Sequence, residues 1–406
     1  MSKISRREFA ASAGAALVAA PMAAFGQSGS RKPPTGTLSE EFVRRLPTLM
    51  QWANVPGVAV AVIREGKLEW SGGFGVKKNG EPGAVESSTL FGAASLSKPV
   101  FTYAVLRLRE EKLIDLDRPL WSYLPNPDLP AVEQSRLITA RHVLSHSSGL
   151  QNWRFQKDQK LEFAFKPGER FGYSGEGFYY LQRVLENITG RGFEQYMRER
   201  VLKPLDMSSS TYLWIPENET RIAWGHNGRM VPAPMFNAQQ GKRMIEIAAE
   251  WKKPVETWKH EDVVRASAII NKDAPPFPNF FLPNTAGSLV TSVDEYALFM
   301  SRLLDGGKND GLELSQAARK AMLTPQTKIN DALSWGVGVG LEQWNGRTLF
   351  WHWGDNGTYK AFMMGDPAQK SGIVVFTNGS NGHKIWRTVV AEATGSDHPA
   401  FYFYMT

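Results

Sequence analysis

The chain has 406 residues, of which 42% are hydrophobic and 21% charged, with 37 Gly, 24 Pro and no Cys. That apolar fraction excludes a disordered polymer, and the missing Cys excludes disulfide scaffolds, Cys-ligated metal centres and a Cys nucleophile. The net charge of +7 comes without a Lys/Arg block able to follow a phosphate backbone, so nucleic acid is not an expected partner.

Residues 1–26 read as an export leader. Ser5-Arg6-Arg7-Glu8-Phe9 precedes an Ala-rich apolar run to about Ala20, and small residues follow at Ala24 and Gly26. The paired arginines match a twin-arginine signal. The run is too short to cross ~30 Å of hydrocarbon as a helix. The expectation is a cleaved leader, no membrane anchor after cleavage, and a periplasmic or secreted protein. Residues 27–37 (QSGSRKPPTGT) are a linker by composition.

A helix is expected over Ser39 to Ala53, where Phe42, Leu46 and Leu49-Met50 recur at helical spacing. The period then becomes two: Val58, Val60 and Val62 alternate with Ala59 and Ala61, Glu65-Gly66 turns, and Leu68 to Gly75 returns as a hairpin with two largely buried faces. Phe101, Val105 and Leu108 mark one helix face, and Tyr179-Tyr180, Val184 and Leu185 another. Residues 215–284, rich in Trp, Pro and Asn, read as irregular and are expected to cover the site and shape specificity. Strand patterns return at Trp335 to Leu341, Leu349 to Gly354, Lys360 to Gly365 and Gly372 to Asn378, with a hairpin turn at Asn345-Gly346 and a final helix over Ile385 to Ala393. This order predicts an α/β chain of α+β type. One antiparallel sheet is closed by both termini (38–92 and 325–406), flanked by helices and interrupted by a mostly helical insert (93–324).

His142 and His146 stand four apart, a spacing that shares a face if both lie in one helix. With no H-E-x-x-H and no third ligand in sequence, they read as structural residues beside the turn at Ser147-Ser148-Gly149, and no metal or cofactor is called for. No Ser lies in G-x-S-x-G. One S-x-x-K exists, Ser95-Leu96-Ser97-Lys98, followed by Pro99. Proline is strongly disfavoured beyond a helix's first turn, so the helix should begin near Ser95. The Lys98 amine then reaches the Ser95 hydroxyl at i,i+3. A Ser hydroxyl needs a base, and a lysine can serve once burial or nearby cations lower its pKa.

Several collinear blocks resemble the serine β-lactamase and D-Ala-D-Ala peptidase superfamily, nearest its class C β-lactamase, carboxypeptidase and family VIII esterase branch. Phe91-Gly-Ala-Ala-Ser95-Leu-Ser-Lys98 is similar to the nucleophile motif, and His142-Val-Leu-Ser-His146-Ser-Ser-Gly149-Leu150 to the stretch HLLTHTSGL. Lys166-Pro-Gly-Glu-Arg-Phe-Gly-Tyr173-Ser174-Gly175 resembles PGxxFxYSN. Lys203-Pro-Leu-Asp-Met207 and Ala286-Gly-Ser-Leu-Val-Thr-Ser292 are further matches, and His352-Trp353-Gly354 falls at the third motif, K/H-x-G.

The resemblance implies a β-lactamase/transpeptidase-like fold with the active site between sheet and insert. It implies Ser95 as nucleophile, Lys98 as base or relay, and Tyr173 as proton shuttle, the last requiring cations that stabilise a phenolate. The Ser95 and Asp355 backbone N–H groups would form the oxyanion hole. Ser174, Gly175, His352, Trp353 and Gly354 would contact substrate, His352 through polar contacts or positive potential. Two positions depart from the family: Gly175 replaces an Asn, and Trp353 replaces a Thr or Ser. Both losses remove recognition of a carboxylated peptide or β-lactam. Trp351, Trp353 and Tyr359 suggest an apolar pocket. The expected activity is therefore ester or amide hydrolysis of a small molecule through a Ser95 acyl-enzyme. Alternatives are a D-Ala-D-Ala carboxypeptidase or β-lactamase, and a non-catalytic cell-wall-binding module.

Overall fold

In the computed structural model, which describes residues 38–233, 238–273, 282–305 and 311–403, the Ser39 hydroxyl accepts from the Phe42 backbone N–H and starts helix α1 (Glu40–Ala53). The expected leader (1–26) and linker (27–37) lie outside the described residues. Among the described residues, no helix is long and apolar enough to cross a membrane.

Strands β1 (Gly57–Arg64) and β2 (Lys67–Gly75) form the expected hairpin. Next come β3 (Phe91–Gly92), α2 (Ser97–Glu110), α3 (Ala140–Leu144), α4 (Gly175–Thr189) and α5 (Phe193–Met197). After them lie α6 (Ala238–Glu250), α7 (His260–Ile270), β4 (Val290–Thr291), α8 (Val293–Asp305) and α9 (Gln316–Leu323). The chain closes with β5 (Thr327–Lys328), β6 (Leu333–Trp335), β7 (Gly340–Trp344), β8 (Arg347–Asp355), β9 (Lys360–Asp366), β10 (Ser371–Thr377) and α10 (His383–Thr394).

Eight strands make one antiparallel sheet in the order β2-β1-β10-β9-β8-β7-β6-β5. Early and late segments meet at β1 and β10, with Val60 opposite Val375. Period-two alternation divides β1 between two cores. Val58, Val60 and Val62 join α1 and α10 on one side, while Ala59, Ala61 and Ile63 join α2 and α8 on the other. The small Ala residues let helix and sheet approach closely.

Two expectations are corrected. Trp335 to Leu341 is not one strand but the hairpin β6–β7, closed by Gly336 N–H to the Val339 carbonyl at 2.9 Å, with Gly338 at φ +82°. Trp335, Val337, Val339 and Leu341 are all buried, so the hydrophobic period of two runs unbroken through the turn and hides it. Residues 215–284 are not simply irregular. They hold α6 and α7, whose Met244, Ile247, Val263 and Ala266 pack around Trp258 in a small separate core. The rest of that segment's expected loop, at 234–237 and 274–281, lies outside the described residues.

Candidate active site

Ser95 sits in a single 3-10 turn, Ala94–Leu96, just ahead of α2. The α-helix itself starts at Ser97, two residues later than Pro99 alone suggested, because the tighter turn precedes it. Ala94 is held at φ +50°, in the left-handed region that disfavours a Cβ. The clamp is local. Ser97 Oγ donates to the Ala94 carbonyl at 2.5 Å and accepts from Leu289 N–H at 3.0 Å. Tyr296 and Tyr212 hydroxyls donate to the carbonyls of Leu96 (2.9 Å) and Ser97 (3.2 Å). The far end of β8 closes over this turn. A Cβ on Gly354 would lie 2.6 Å from the Ala93 carbonyl oxygen and 3.1 Å from Ser95 N, so only glycine fits. That approach sets the strand end that carries Gly354 and Asp355 against the Ser95 turn. The Asp355 side chain points outward, accepting from Gly357 N–H at 2.8 Å and pairing with Lys360.

Lys98 is buried at 1% exposure. Its Nζ lies 3.2 Å from Ser95 Oγ and donates to the Ala286 carbonyl at 2.7 Å. Burial alone holds its pKa well below the ordinary lysine range, which favours the neutral form a base must have. Nζ also stands 4.7 Å over the Tyr173 ring. The Tyr173 hydroxyl is buried and makes no hydrogen bond of normal geometry. Burial pushes the phenol upward, against a smaller pull from the Ser95 hydroxyl. Burial therefore works against the phenolate that such a shuttle would need, and desolvation disfavours the charged forms of both Tyr173 and Lys98.

Two histidines complete the floor. The Tyr173 ring stacks on His146 at 4.0 Å, and His146 Nδ1 accepts from Ser174 N–H at 3.1 Å. His146 does not share a helix face with His142. Helix α3 ends at Leu144, and His146 turns away at φ +51°. His142 is structural, its Nδ1 accepting from Thr139 N–H in the α3 capping box. His352 is fully buried, and its Nδ1 donates to the Trp353 carbonyl at 2.9 Å. Burial, then repulsion from Lys98, lowers His352 to about 3. The expected positive potential is thus absent: His352 is a neutral ring whose Nε2 has no partner among the described residues.

The second motif departs further from expectation. Ser174 caps α4, its hydroxyl accepting from Gly177 N–H at 3.0 Å and donating to the Gln151 carbonyl at 2.9 Å. At 2% exposure it holds the helix, not a substrate. Gly175 is covered by Trp153: a Cβ there would meet the indole at 2.1 Å. The expected aromatic pocket shrinks as well. Trp351 is fully buried in the α1/α10 core, and the buried Tyr359 donates to the Ala223 carbonyl at 2.8 Å, leaving the half-buried Trp353 as the one accessible ring of the three.

The structure thus gathers Ser95, Lys98, Tyr173, His352, Gly354 and the Asp355 backbone. It adds His146, the Ala286 carbonyl and Trp153. His146 and Ala286 lay inside recognised sequence blocks and could have been found there. Trp153 gave no sequence signal.

A family model for Beta-lactamase matches residues 42–393. A human β-lactamase-like protein is 31% identical over 250 residues, 54% of this chain, and the chain spans only half (50%) of that relative's length. Penicillin-binding protein 4 of Amycolatopsis lactamdurans is 24% identical over 86% of this chain and 88% of its own. Among solved structures, D-alanine carboxypeptidase AmpC from Burkholderia cenocepacia superposes with a TM-score of 0.66 at 15% identity, covering 87% of this chain and 97% of that one. At that identity the likeness speaks to the fold.

Proposed function

This chain belongs to the beta-lactamase family, whose fold serves serine hydrolases, and from that premise we propose that it hydrolyses small ester bonds through an acyl-enzyme on Ser95. The observation that carries the reading is a buried amine, its pKa lowered by burial, 3.2 Å from a serine hydroxyl held in a strained turn. Ser95 Oγ bonds to the ester carbonyl carbon as its proton passes to Lys98 Nζ. The Ser95 and Asp355 N–H groups receive the oxyanion. Collapse breaks the C–O bond to the alcohol. The Tyr173 phenol protonates the departing oxygen and is reprotonated from the Lys98 ammonium. Water then gives its proton back along the same relay, attacks the acyl carbon and releases the acid, while Ser95 Oγ recovers its proton. The twin-arginine leader supports export, with this chemistry in the periplasm or outside the cell.

Turnover of short-chain p-nitrophenyl esters tests the proposal. Ser95→Ala should lose at least ~10³-fold in kcat, and unchanged turnover overturns it. The names of two relatives, a penicillin-binding protein and a D-alanine carboxypeptidase, favour a second reading with a peptide or β-lactam as acyl donor. Gly175 and Trp353 weigh against it. Nitrocefin hydrolysis exceeding ester hydrolysis would reverse the order.

A further inference from the structure

The second motif lacks a side chain at Gly175, and the space is filled from another loop. Ser174 is extended, at φ −139° and ψ 117°, so positions 173 and 175 project to the same side of the chain. A side chain at 175 would therefore point where Tyr173 points, toward Ser95 and Lys98. That volume holds the Trp153 indole: Cζ2, Cε2 and Cη2 lie 2.1, 2.4 and 2.4 Å from the position a Cβ would take.

The indole is pinned from both neighbours. On one side, the Asn152 side-chain and backbone carbonyls both accept from Gly175 N–H, at 2.9 and 3.1 Å. On the other, Arg154 grips Glu176 with Nε and Nη2 at 2.9 and 3.1 Å, and its backbone N–H adds a third bond at 3.1 Å. Both charged side chains are nearly fully buried. A buried bidentate pair fixes orientation as well as distance. Trp153 itself stays half-buried, so part of its face is accessible.

Resting on the ester-hydrolase reading above, we propose that Trp153 is the specificity-determining wall of the site and that it limits substrates to esters of short, unbranched acyl groups. The departing alcohol needs only its oxygen at the Tyr173 hydroxyl and extends to solvent, whereas the acyl group stays bonded to Ser95 through deacylation, so the wall that fills position 175 meets the acyl chain. The indole offers that chain an apolar face and occupies the space a polar side chain at 175 would use to hold an amide beside the acyl carbon.

Two ester series test this, one varying the acyl chain from acetate through butyrate to octanoate, the other varying the alcohol over a fixed acetyl group. Trp153→Ala should raise the octanoate-to-acetate ratio of kcat/KM by at least about tenfold, mostly through a lower octanoate KM. The alcohol series should shift less than about twofold. An unchanged acyl ratio, or a shift confined to the alcohol series, overturns the proposal. Labelling of Ser95 by a fluorophosphonate and the thermal midpoint report whether the variant is folded. If Trp153→Ala is unfolded, Trp153→Phe must still move the acyl ratio in the same direction, or the proposal falls. A non-additive rescue adds support: Gly175→Ala should be damaging alone and tolerated with Trp153→Ala. Wild-type protein that is labelled and turns over esters, with an unmoved ratio, refutes Trp153 alone. Wild-type protein with neither labelling nor turnover refutes the ester-hydrolase reading and this inference with it.

Discussion

Two buried polar clusters meet at the start of α4 and are built on opposite rules. On one side, Arg154 and Glu176 share a bidentate contact, with Asp128 at 3.5 Å from the same guanidinium. On the other, Lys98, His146 and His352 are buried around the half-buried Tyr173, with no carboxylate among their hydrogen-bond partners within the described residues. Burial penalises charge equally in both places. Where a counter-charge is supplied, an ion pair forms and holds a loop in place, with Arg154 opposing the upward push of burial on the Glu176 carboxyl. Where none is supplied, desolvation favours the neutral forms of the amine, the phenol and the imidazole.

The largest effect that could break this contrast lies at Lys98. Lys98→Met should abolish ester turnover, by at least ~10³-fold, and also raise the thermal midpoint by roughly 2–4 °C. Burial lowers the folded-state pKa, so between that value and 10.5 the unfolded chain binds the extra proton. Wild-type stability therefore rises with pH between the folded value and the model value of 10.5, and the variant should lose that rise. Calorimetry from about pH 7 to 9 checks this. Equal slopes in the two proteins would mean that Lys98 is charged when folded.

The paired cluster should respond in the opposite sense. Glu176→Ala leaves the Arg154 charge buried and unpaired and should destabilise the fold by about 3–5 kcal/mol in denaturant titration. Replacing both by Met should recover most of that loss. A large loss from the double variant would mean that the pair contributes more than mutual compensation.

An intermediate case sharpens the contrast. Glu186, also on α4, accepts from Gln182 Nε2 at 3.1 Å and from His260 N–H at 3.0 Å, neutral donors both. Burial pushes it up to about 7. A raised carboxyl pKa means that the folded state holds the proton longer. Its contribution is thus complete below the unfolded value near 4.5 and is lost as pH rises through about 7. Glu186→Gln should match wild type near pH 4.5 and exceed it by about 3 kcal/mol above pH 7. Parallel stability curves would show that Glu186 ionises normally.

Much of this was legible in the chain itself. The Phe42/Leu46 spacing, the Val/Ala alternation, the Asn345-Gly346 turn and the last three long strands each declare a local backbone geometry, and the structure forms them within a residue or two. Ser95, Lys98 and Pro99 are sequence neighbours, so one helical turn brings hydroxyl and amine together without help from the rest of the fold. Local spacing failed where the next contact came from far away. Whether Lys98 is charged depends on burial by α2, α4 and the sheet. Whether His352 is charged depends on the same enclosure. The β6–β7 turn could not be told from a continuous strand because apolar Trp335, Val337, Val339 and Leu341 keep a period of two straight through it.

Sequence alone therefore determined which groups could do chemistry, because side-chain type and near spacing are covalent facts. Tertiary structure decided which of them are ionised and which positions are blocked. Both depend on the water that packing removes and on the neighbour that packing inserts. Trp153 over Gly175, 22 residues away in the chain, is such a neighbour.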